Sequence, residues 1–411
     1  MVVAGLSTVV EWYDFTLYLY FSTVLARVFF GTGPQSMTET LGGFAIAYLM
    51  RPVGAMVFGH FGDRLGRRVT MLGSMALMTA AMLATAMLPT YAQIGPLAGV
   101  LLITLRCLIS FSVGGEYTGV VAYLMEGAKD SRRGLITSCA SAASEVGALL
   151  AAGAAALIVW AMPEDDLISW GWRLPFLFGA ALAGAVLITR ATLEETPEFL
   201  RQRDAGTVPE NPIRQTLTRH RSAIARSFAI SALGSITYYV GITYVPAFLD
   251  ATGTMPETRA LSISVLAALT VILVTPVMGL ASDRYGRRPM LLGLAVFGLL
   301  LPTAMFTLMA GGGTAVLVGA VVLAALGGAV SAVGAVTTAE QFPGEGRLSG
   351  LALGATTATA IFGGLTPLVA HLLVTKSEWP AAPGAMIACV SVCVIIVFWR
   401  MPETSPARAK A

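Results

Sequence analysis

The sequence predicts an all-α membrane protein with twelve transmembrane helices in two pseudo-symmetric six-helix bundles. Three observations support this prediction. First, 56% of the 411 residues are hydrophobic and only 12% are charged, whereas soluble domains carry about 25% charged residues. Second, twelve apolar stretches are each long enough, at about 20 residues, to cross a bilayer. Third, motifs from the first half of the chain recur in the same order in the second half.

The apolar stretches follow one another with short polar breaks. They lie at 3–30, 38–61, 69–88, 95–125, 134–160, 172–191, 223–249, 259–282, 289–309, 314–341, 348–374 and 382–400. One longer break, 192–222, is rich in proline and charge and separates six stretches from six. We therefore expect an N-terminal bundle at 1–191, a cytoplasmic linker loop at 192–222 and a C-terminal bundle at 223–411.

The basic residues are distributed unevenly between the two sides of these spans. Twenty lysines and arginines flank one side, four flank the other, and two, Arg51 and Arg106, lie within spans. Basic residues concentrate in the cytoplasmic loops of membrane proteins. We therefore expect a multi-pass protein of the inner (plasma) membrane with both termini in the cytoplasm.

Two similar decapeptides stand 220 residues apart in the chain. Gly59–Arg68 follows the second span and Gly279–Arg288 follows the eighth, and both contain the pattern Gly-x-x-x-Asp-Arg-x-Gly-Arg-Arg. Further matching pairs are Glu126 with Glu340, Arg133 with Arg347, and Glu195 with Glu403. Ordered motifs at similar offsets indicate a duplicated six-helix unit, which is the plan of the major facilitator fold.

These repeated motifs predict a gate at the cytoplasmic ends of the helices. Glycine allows a tight turn between helices, an aspartate can cap a helix N-terminus, and arginines can pair with the glutamates. Such pairs would hold the inner side closed in one state and break in the other. The alternative is that the arginines only enforce topology. The gate residues are Asp63, Arg64, Arg67, Arg68, Glu126, Glu195, Asp283, Arg284, Arg287, Arg288, Glu340 and Arg347.

Three charged residues within the first and fourth spans form the candidate proton-coupling site: Glu11, Asp14 and Arg106. A charge at the bilayer centre costs roughly 2.5 to 3.5 kcal/mol and usually marks ion binding or a proton relay. At about 1.5 Å per residue, Asp14 and Arg106 both lie near the middle of a core about 30 Å thick. Protonation of Asp14 would release Arg106, and Glu11 could share the proton. The alternative is a static ion pair that fixes helix packing.

The candidate substrate-binding residues are Arg106, Arg51, Tyr238, Tyr239 and Glu145. Arg51 precedes a proline in the second span and could contact substrate or Asp14, or form an inner salt bridge. Glu145 lies in the middle of the fifth span and could shape substrate choice. The two tyrosines lie near the middle of the seventh span, where they either line the cavity or pack between helices.

Both decapeptides resemble the loop signature of the major facilitator superfamily. Five further segments resemble the metabolite:proton symporter family, whose members carry proline and betaine, citrate, α-ketoglutarate or shikimate. These segments are Glu11–Phe15, Arg51–Gly54, Phe111–Tyr117, Gly171–Phe176 and Glu194–Phe199. The resemblance covers nearly the whole chain and implies that the first and fourth helices line a central cavity. In related sugar–proton carriers, these helices bear an acid and an arginine.

We predict a secondary transporter, not an enzyme, which couples proton entry to symport of a small organic acid of the citrate, α-ketoglutarate or dicarboxylate type. Arg51 and Arg106 would suit its carboxylate. The first alternative is symport of a zwitterionic osmolyte of the proline/betaine type. Drug efflux by proton antiport would need a more apolar cavity without paired arginines. A non-transporting sensor would need an appended signalling domain.

No cofactor or metal is expected, because transport would be driven by the proton gradient. The sequence has no phosphate-binding Gly-x-x-x-x-Gly-Lys-Ser/Thr motif, and its three histidines lie in different regions. A net charge of +3 does not suggest nucleic acid. We expect the partners to be the small-molecule substrate, protons and the lipid bilayer, and the chain to act as a monomer.

Overall fold

The computed structural model of the protein describes residues 2–33, 35–65, 67–114, 120–121, 124–125, 128–191, 200, 203–204, 212–255, 257–342, 347–377 and 379–405. These residues form helices, turns and bends, and none of them forms a strand. We number the membrane-crossing helices α1 to α12. In the first half, the bounds are Val2–Tyr20 for α1 (continued by Ser22–Leu25 and Ala26–Phe30), Ser36–Leu65 for α2, Arg67–Ala86 for α3, Leu97–Val113 for α4, Arg133–Ala161 for α5 and Glu164–Ala191 for α6. In the second half, they are Arg221–Thr243 with Val245–Ala251 for α7, Glu257–Tyr285 for α8, Arg287–Ala310 for α9, Thr314–Glu340 for α10, Arg347–Ser377 for α11 and Ala382–Arg400 for α12.

The twelve-helix fold predicted from the sequence is confirmed. Nine helices in the described part of the chain are long and apolar enough to cross a membrane, and α7 adds a tenth as a pair of segments bent by 48°. The other two are α1, which carries two acids at its middle, and α4, which is described without a break only to Gly114. Most helix ends lie within two or three residues of the predicted ones.

Helix α6 begins earlier than predicted. Its apolar stretch starts at residue 172, but the helix begins at Glu164 and runs through a π-helical turn, Leu167–Gly171. The first turn, Glu164–Asp166, is entirely acidic. Negative side chains at a helix N-terminus are stabilised by the helix dipole, so a polar segment extends the helix beyond its apolar part.

Most of the predicted linker, 192–222, lies outside the described residues. Within it, Pro212–Arg219 forms a short helix, and α7 begins directly afterwards at Arg221. The exact bounds of the two bundles therefore stay a prediction.

The two halves of the molecule meet along two pairs of helices. Helix α5 of the first half packs along α8 of the second, and α2 packs along α11. Gly134 of α5 faces Gly279 of α8 so closely that a Cβ atom at either position would lie 2.5 to 2.6 Å from the carbonyl oxygen of the other. Small residues at such crossings let helix backbones approach each other in a membrane, and here they allow α5 and α8 to cross closely.

Candidate functional site

The orientation of α1 is set by two tyrosine hydroxyls. Tyr13 donates to the Pro175 carbonyl of α6 at 2.8 Å, and Tyr18 donates to the Thr40 carbonyl of α2 at 2.9 Å. These bonds are buried and fix the rotation of α1 about its axis. Residues three apart in a helix lie on neighbouring parts of one face, so both acids of α1 point into the protein.

Asp14 of α1 binds Arg106 of α4 through two parallel hydrogen bonds. The Nη1–Oδ2 distance is 2.8 Å and the Nη2–Oδ1 distance is 3.1 Å. The side chains are buried, with 1% and 5% of their residue surfaces exposed. Thr85 of α3 lies 3.4 Å from Arg106 Nη2 and accepts a further bond. The arrangement is a bidentate pair, which is stronger and more directional than a single charged bond.

Glu11 of α1 binds a different arginine, Arg51 of α2. Arg51 Nη1 lies 3.2 Å from Glu11 Oε1, and both residues are buried. The guanidinium also lies over the rings of Phe15 and Tyr48, at 4.4 and 4.5 Å from their centres. The alternatives for Arg51 were a contact with substrate or Asp14, or a salt bridge; the structure shows a salt bridge, and its partner is Glu11, which was not predicted. Each acid of α1 has its own arginine on a separate helix.

Five aromatic residues, which we call the aromatic cluster, connect the two halves beside these ion pairs. The Trp12 ring centre lies 5.1 Å from that of Tyr238 and 6.3 Å from that of Tyr239. The hydroxyls of Tyr48 and Tyr239 are 2.5 Å apart, and Phe15 packs against both rings. The predicted substrate-binding tyrosines thus lie at the interface between the halves. Sequence reasoning did not identify their partners on α1 and α2.

Glu145 of α5 is the fifth buried charge of this region. Only 3% of the residue is exposed, and its Oε2 atom has no hydrogen-bond partner among the described residues. The carboxyl interacts electrostatically with the hydroxyls of Tyr238 and Tyr20. The Tyr238 hydroxyl faces the carboxyl without completing a hydrogen bond of normal geometry. Glu145 therefore lies against the aromatic cluster with unused hydrogen-bonding capacity.

A small recess lies between the halves near the ends of α1, α2, α7 and α11 that are opposite the loop motifs. It is lined by Leu19, Tyr20, Ser22, Thr23, Met37, Leu41, Thr243, Tyr244, Pro246, Ala247, Asp250 and Pro367. Because Tyr20 both lines the recess and interacts with Glu145, it stands between the recess and the buried charges.

On the motif side of the molecule, an aspartate cap joins α8 to α5. Asp283, near the end of α8, accepts hydrogen bonds from the backbone N–H groups of Gly134 at 2.8 Å and Leu135 at 3.0 Å, in the first turn of α5. Arg287 donates to Asp283 at 2.9 Å and to Glu340 at 3.2 Å. A carboxylate at a helix N-terminus satisfies free N–H groups and the dipole together. This cap links the two halves.

The other residues predicted for the gate take separate positions. Arg288 donates to the Trp399 carbonyl, and Arg347 donates to the Phe342 carbonyl at 3.2 Å. Arg284 is exposed beside the Tyr285 ring, and Arg68 donates to the Ala191 carbonyl at 2.9 Å. Glu126, Glu195 and the side chains of Asp63, Arg64 and Arg67 lie outside the described residues.

Sequence reasoning missed Glu403 as a member of this group. Its carboxylate accepts the backbone N–H groups of Arg287 at 2.8 Å and Arg288 at 3.1 Å, and so caps α9. The neighbouring Thr404 donates to Glu340 at 2.9 Å. The sequence contained a signal for this role, because Glu403 is the repeat partner of Glu195, which was predicted as a gate residue.

Substitution Asp283→Asn should open the motif side more often, because an amide cannot hold two N–H groups as a carboxylate does. Such a cap is worth about 1 kcal/mol, so the open fraction should rise roughly fivefold. The measurement is maleimide labelling of Ser138→Cys, a buried α5 position against Gly279, in a protein whose four native cysteines are replaced. Asp130→Asn, an exposed acid beside the same helix, is the control. Equal labelling rates in both variants would leave Asp283 without a gating role.

Comparison with known proteins assigns the chain to a family. The family model described as "Sugar (and other) transporter" matches residues 1–208, and the model described as "Major Facilitator Superfamily" matches residues 255–411. The chain belongs to the major facilitator superfamily. The sequence-based recognition of this superfamily is therefore confirmed, and the chain is a multi-pass membrane protein.

Relatives within the superfamily match almost the full chain. The proline/betaine transporter of Salmonella typhimurium is 32% identical over 415 residues, covering 98% of this chain and 83% of that protein. The citrate-proton symporter of Klebsiella pneumoniae is 30% identical over 391 residues, covering 94% and 87%. The solved xylose transporter XylE from E. coli, in a partially occluded inward open conformation, has a TM-score of 0.74 at 20% identity over 98% and 97% of the two chains. That likeness shows the shared fold.

Proposed function

We propose that this member of the major facilitator superfamily is a proton-coupled symporter of a zwitterionic osmolyte, of the proline or betaine type. Two groups of relatives support this proposal: the proline/betaine transporters support the substrate, and the citrate-proton symporter supports proton coupling. The proline/betaine transporters are the more similar of the two groups to this chain. This substrate was the alternative in the sequence-based prediction, in which an organic acid came first. The observation that carries the change is the charge balance of the buried site.

The five buried charges described above add up to a net charge of −1 when all are ionised. The positive charges are Arg51 and Arg106, and each already binds an acid of α1. The remaining negative charge belongs to Glu145. A buried charge without a partner is costly, so this site disfavours a dianion or trianion. A zwitterion adds no net charge and brings a positive group as well as a carboxylate.

The aromatic cluster favours the same class of substrate. Cations are attracted to the faces of tryptophan and tyrosine rings, and quaternary ammonium groups are bound in this way. Trp12, Tyr238 and Tyr239 supply such faces at the interface of the halves. An alternating-access transporter of this architecture binds its substrate there.

The proposed coupling step uses the Asp14–Arg106 pair. When a proton neutralises Asp14, Arg106 loses its partner and can bind the substrate carboxylate with the same planar pair of N–H groups. Return of Asp14 to its ionised form restores the pair and releases the carboxylate. Substrate and proton therefore bind and leave together. We propose that the motif side faces the cytoplasm, so that the recess opposite it faces outward.

An organic acid is the second candidate, because the chain also matches a citrate-proton symporter. Its binding would require protonation of both Asp14 and Glu11, which would free Arg106 and Arg51 for carboxylates. The test is uptake of labelled betaine, proline and citrate into proteoliposomes with an acidic exterior. We expect accumulation of betaine or proline and collapse of that accumulation with an uncoupler. Accumulation of citrate alone would overturn the zwitterion proposal and leave proton symport standing.

A further inference from the structure

We infer that Glu145 binds the positively charged nitrogen of the substrate and selects zwitterions over simple carboxylates. This inference rests on the proposed function and assigns one of its steps to a residue. Glu145 lies in the middle of α5, at the interface with the second half, and is almost fully buried. Its unoccupied carboxyl oxygen is the feature that points to a ligand.

Glu145 differs from the two acids of α1 in its partners. Glu11 and Asp14 each lie within 3.2 Å of an arginine nitrogen. Among the described residues, Glu145 forms no salt bridge, and the hydroxyls of Tyr238 and Tyr20 interact with it electrostatically. An ionised carboxylate in such a place is stabilised by a cation that enters with the substrate. Of the three buried acids, Glu145 is therefore the one whose missing partner a substrate can supply.

The aromatic cluster supplies the ring faces that a cation site needs beside the carboxylate. Tyr238, which faces Glu145, also packs edge-on against Trp12 at 5.1 Å. A methylated ammonium group has no N–H to donate, so it is recognised by a nearby negative charge and by ring faces. Glu145 with Tyr238 and Trp12 supplies both. The arginines lie on α2 and α4, on other helices of the same half, and Arg106 can bind the carboxylate end once Asp14 is protonated.

Tyr20 connects the recess with Glu145. Tyr20 lines the recess, and its hydroxyl interacts electrostatically with Glu145. The recess also contains an acid, Asp250 of α7, which gives its wall a negative charge. A zwitterion that enters the recess therefore meets Tyr20 first and reaches Glu145 when the Tyr20 side chain moves aside.

The test compares glycine betaine with 3,3-dimethylbutanoate, which has the same shape and carboxylate but carbon in place of the charged nitrogen. In the wild-type protein, betaine should inhibit labelled proline uptake at least tenfold more strongly than 3,3-dimethylbutanoate. In Glu145→Gln, this preference should fall to about twofold, because a buried ion-pair partner is worth roughly tenfold or more in discrimination. Glu145→Asp, which retains the charge, should keep most of the preference.

Glu39→Gln, the same chemical change at an exposed position of α2, is the matched control and should retain the wild-type preference. An unchanged preference in Glu145→Gln would overturn the inference. So would loss of pH-driven accumulation with the preference intact, because Glu145 would then be a proton site. If the wild-type protein takes up neither betaine nor proline, the proposed function itself fails, and the two failures are thereby distinguished.

Discussion

Replacement of Asp14 by asparagine should abolish accumulation of substrate against its gradient while leaving exchange across the membrane largely intact. Asparagine keeps the size of the side chain and can still accept one bond from Arg106, but it cannot take up a proton. With one proton per substrate, a difference of one pH unit supports about tenfold accumulation, since about 1.4 kcal/mol corresponds to a factor of ten. In Asp14→Asn this factor should fall to one.

The measurement is steady-state uptake into proteoliposomes at several imposed pH differences, together with exchange of labelled for unlabelled substrate at equal pH. Asp165→Asn, at an exposed acid in the first turn of α6, makes the same change outside the site. It should accumulate substrate as the wild-type protein does. Gradient-driven accumulation by Asp14→Asn would show that Asp14 is not the proton-binding residue, and Glu11 would be the next candidate.

Arg106 should show the second large effect, and its two substitutions should differ in kind. Arg106→Lys keeps the positive charge but loses the planar pair of donors that binds Asp14 at 2.8 and 3.1 Å. Substrate affinity should fall roughly tenfold or more, because one of two charge-assisted bonds is lost. Proton coupling should survive in part, since lysine can still form an ion pair with Asp14.

Arg106→Ala should uncouple the protein altogether. Breaking a buried pair leaves the remaining charge without a partner, at a cost of about 3 to 5 kcal/mol. Asp14 would avoid that cost by holding its proton throughout the cycle. The test is substrate binding and pH-driven uptake in both variants, with Arg27→Ala, half-exposed at the far end of α1, as the control. Wild-type affinity in Arg106→Lys would exclude a bidentate substrate contact, and intact coupling in Arg106→Ala would exclude the switch.

The fold was predictable because membrane insertion imposes a strong local rule. Each span must be apolar over about 20 residues, and most of the helices obey this rule, so that the predicted stretch 382–400 coincides with Ala382–Arg400. The contact of Asp14 with Arg106 was also within reach. Both residues lie at the same depth, and depth follows from counting residues along a helix.

The partners of other charges could not be deduced in this way. Depth does not specify rotation about the helix axis, and rotation decides that Arg51 meets Glu11 instead of Asp14. The aromatic cluster depends on docking of the two halves, since Trp12 and Tyr238 are far apart in sequence and belong to different bundles. For the same reason, the buried Glu145 oxygen without a hydrogen-bond partner became apparent only when its neighbours on α1 and α7 were in place.

The charge balance of the site also changed the substrate assignment. From the sequence, two arginines within spans suggested an organic acid. In the structure each arginine forms an ion pair with an acid of α1, and Glu145 is a further buried acid that forms no salt bridge among the described residues. The presence of two arginines within spans suggested an anionic substrate. Their contacts with acids, in contrast, favour a substrate that carries a positive group.

Substrate-induced proton movement tests the central claim most directly. Betaine or proline is added outside proteoliposomes that contain a pH-sensitive dye, with equal pH on both sides at the start. We predict acidification of the interior with the wild-type protein and none with Asp14→Asn. Entry of labelled substrate at the normal rate without any change of internal pH would contradict proton-coupled symport by this protein.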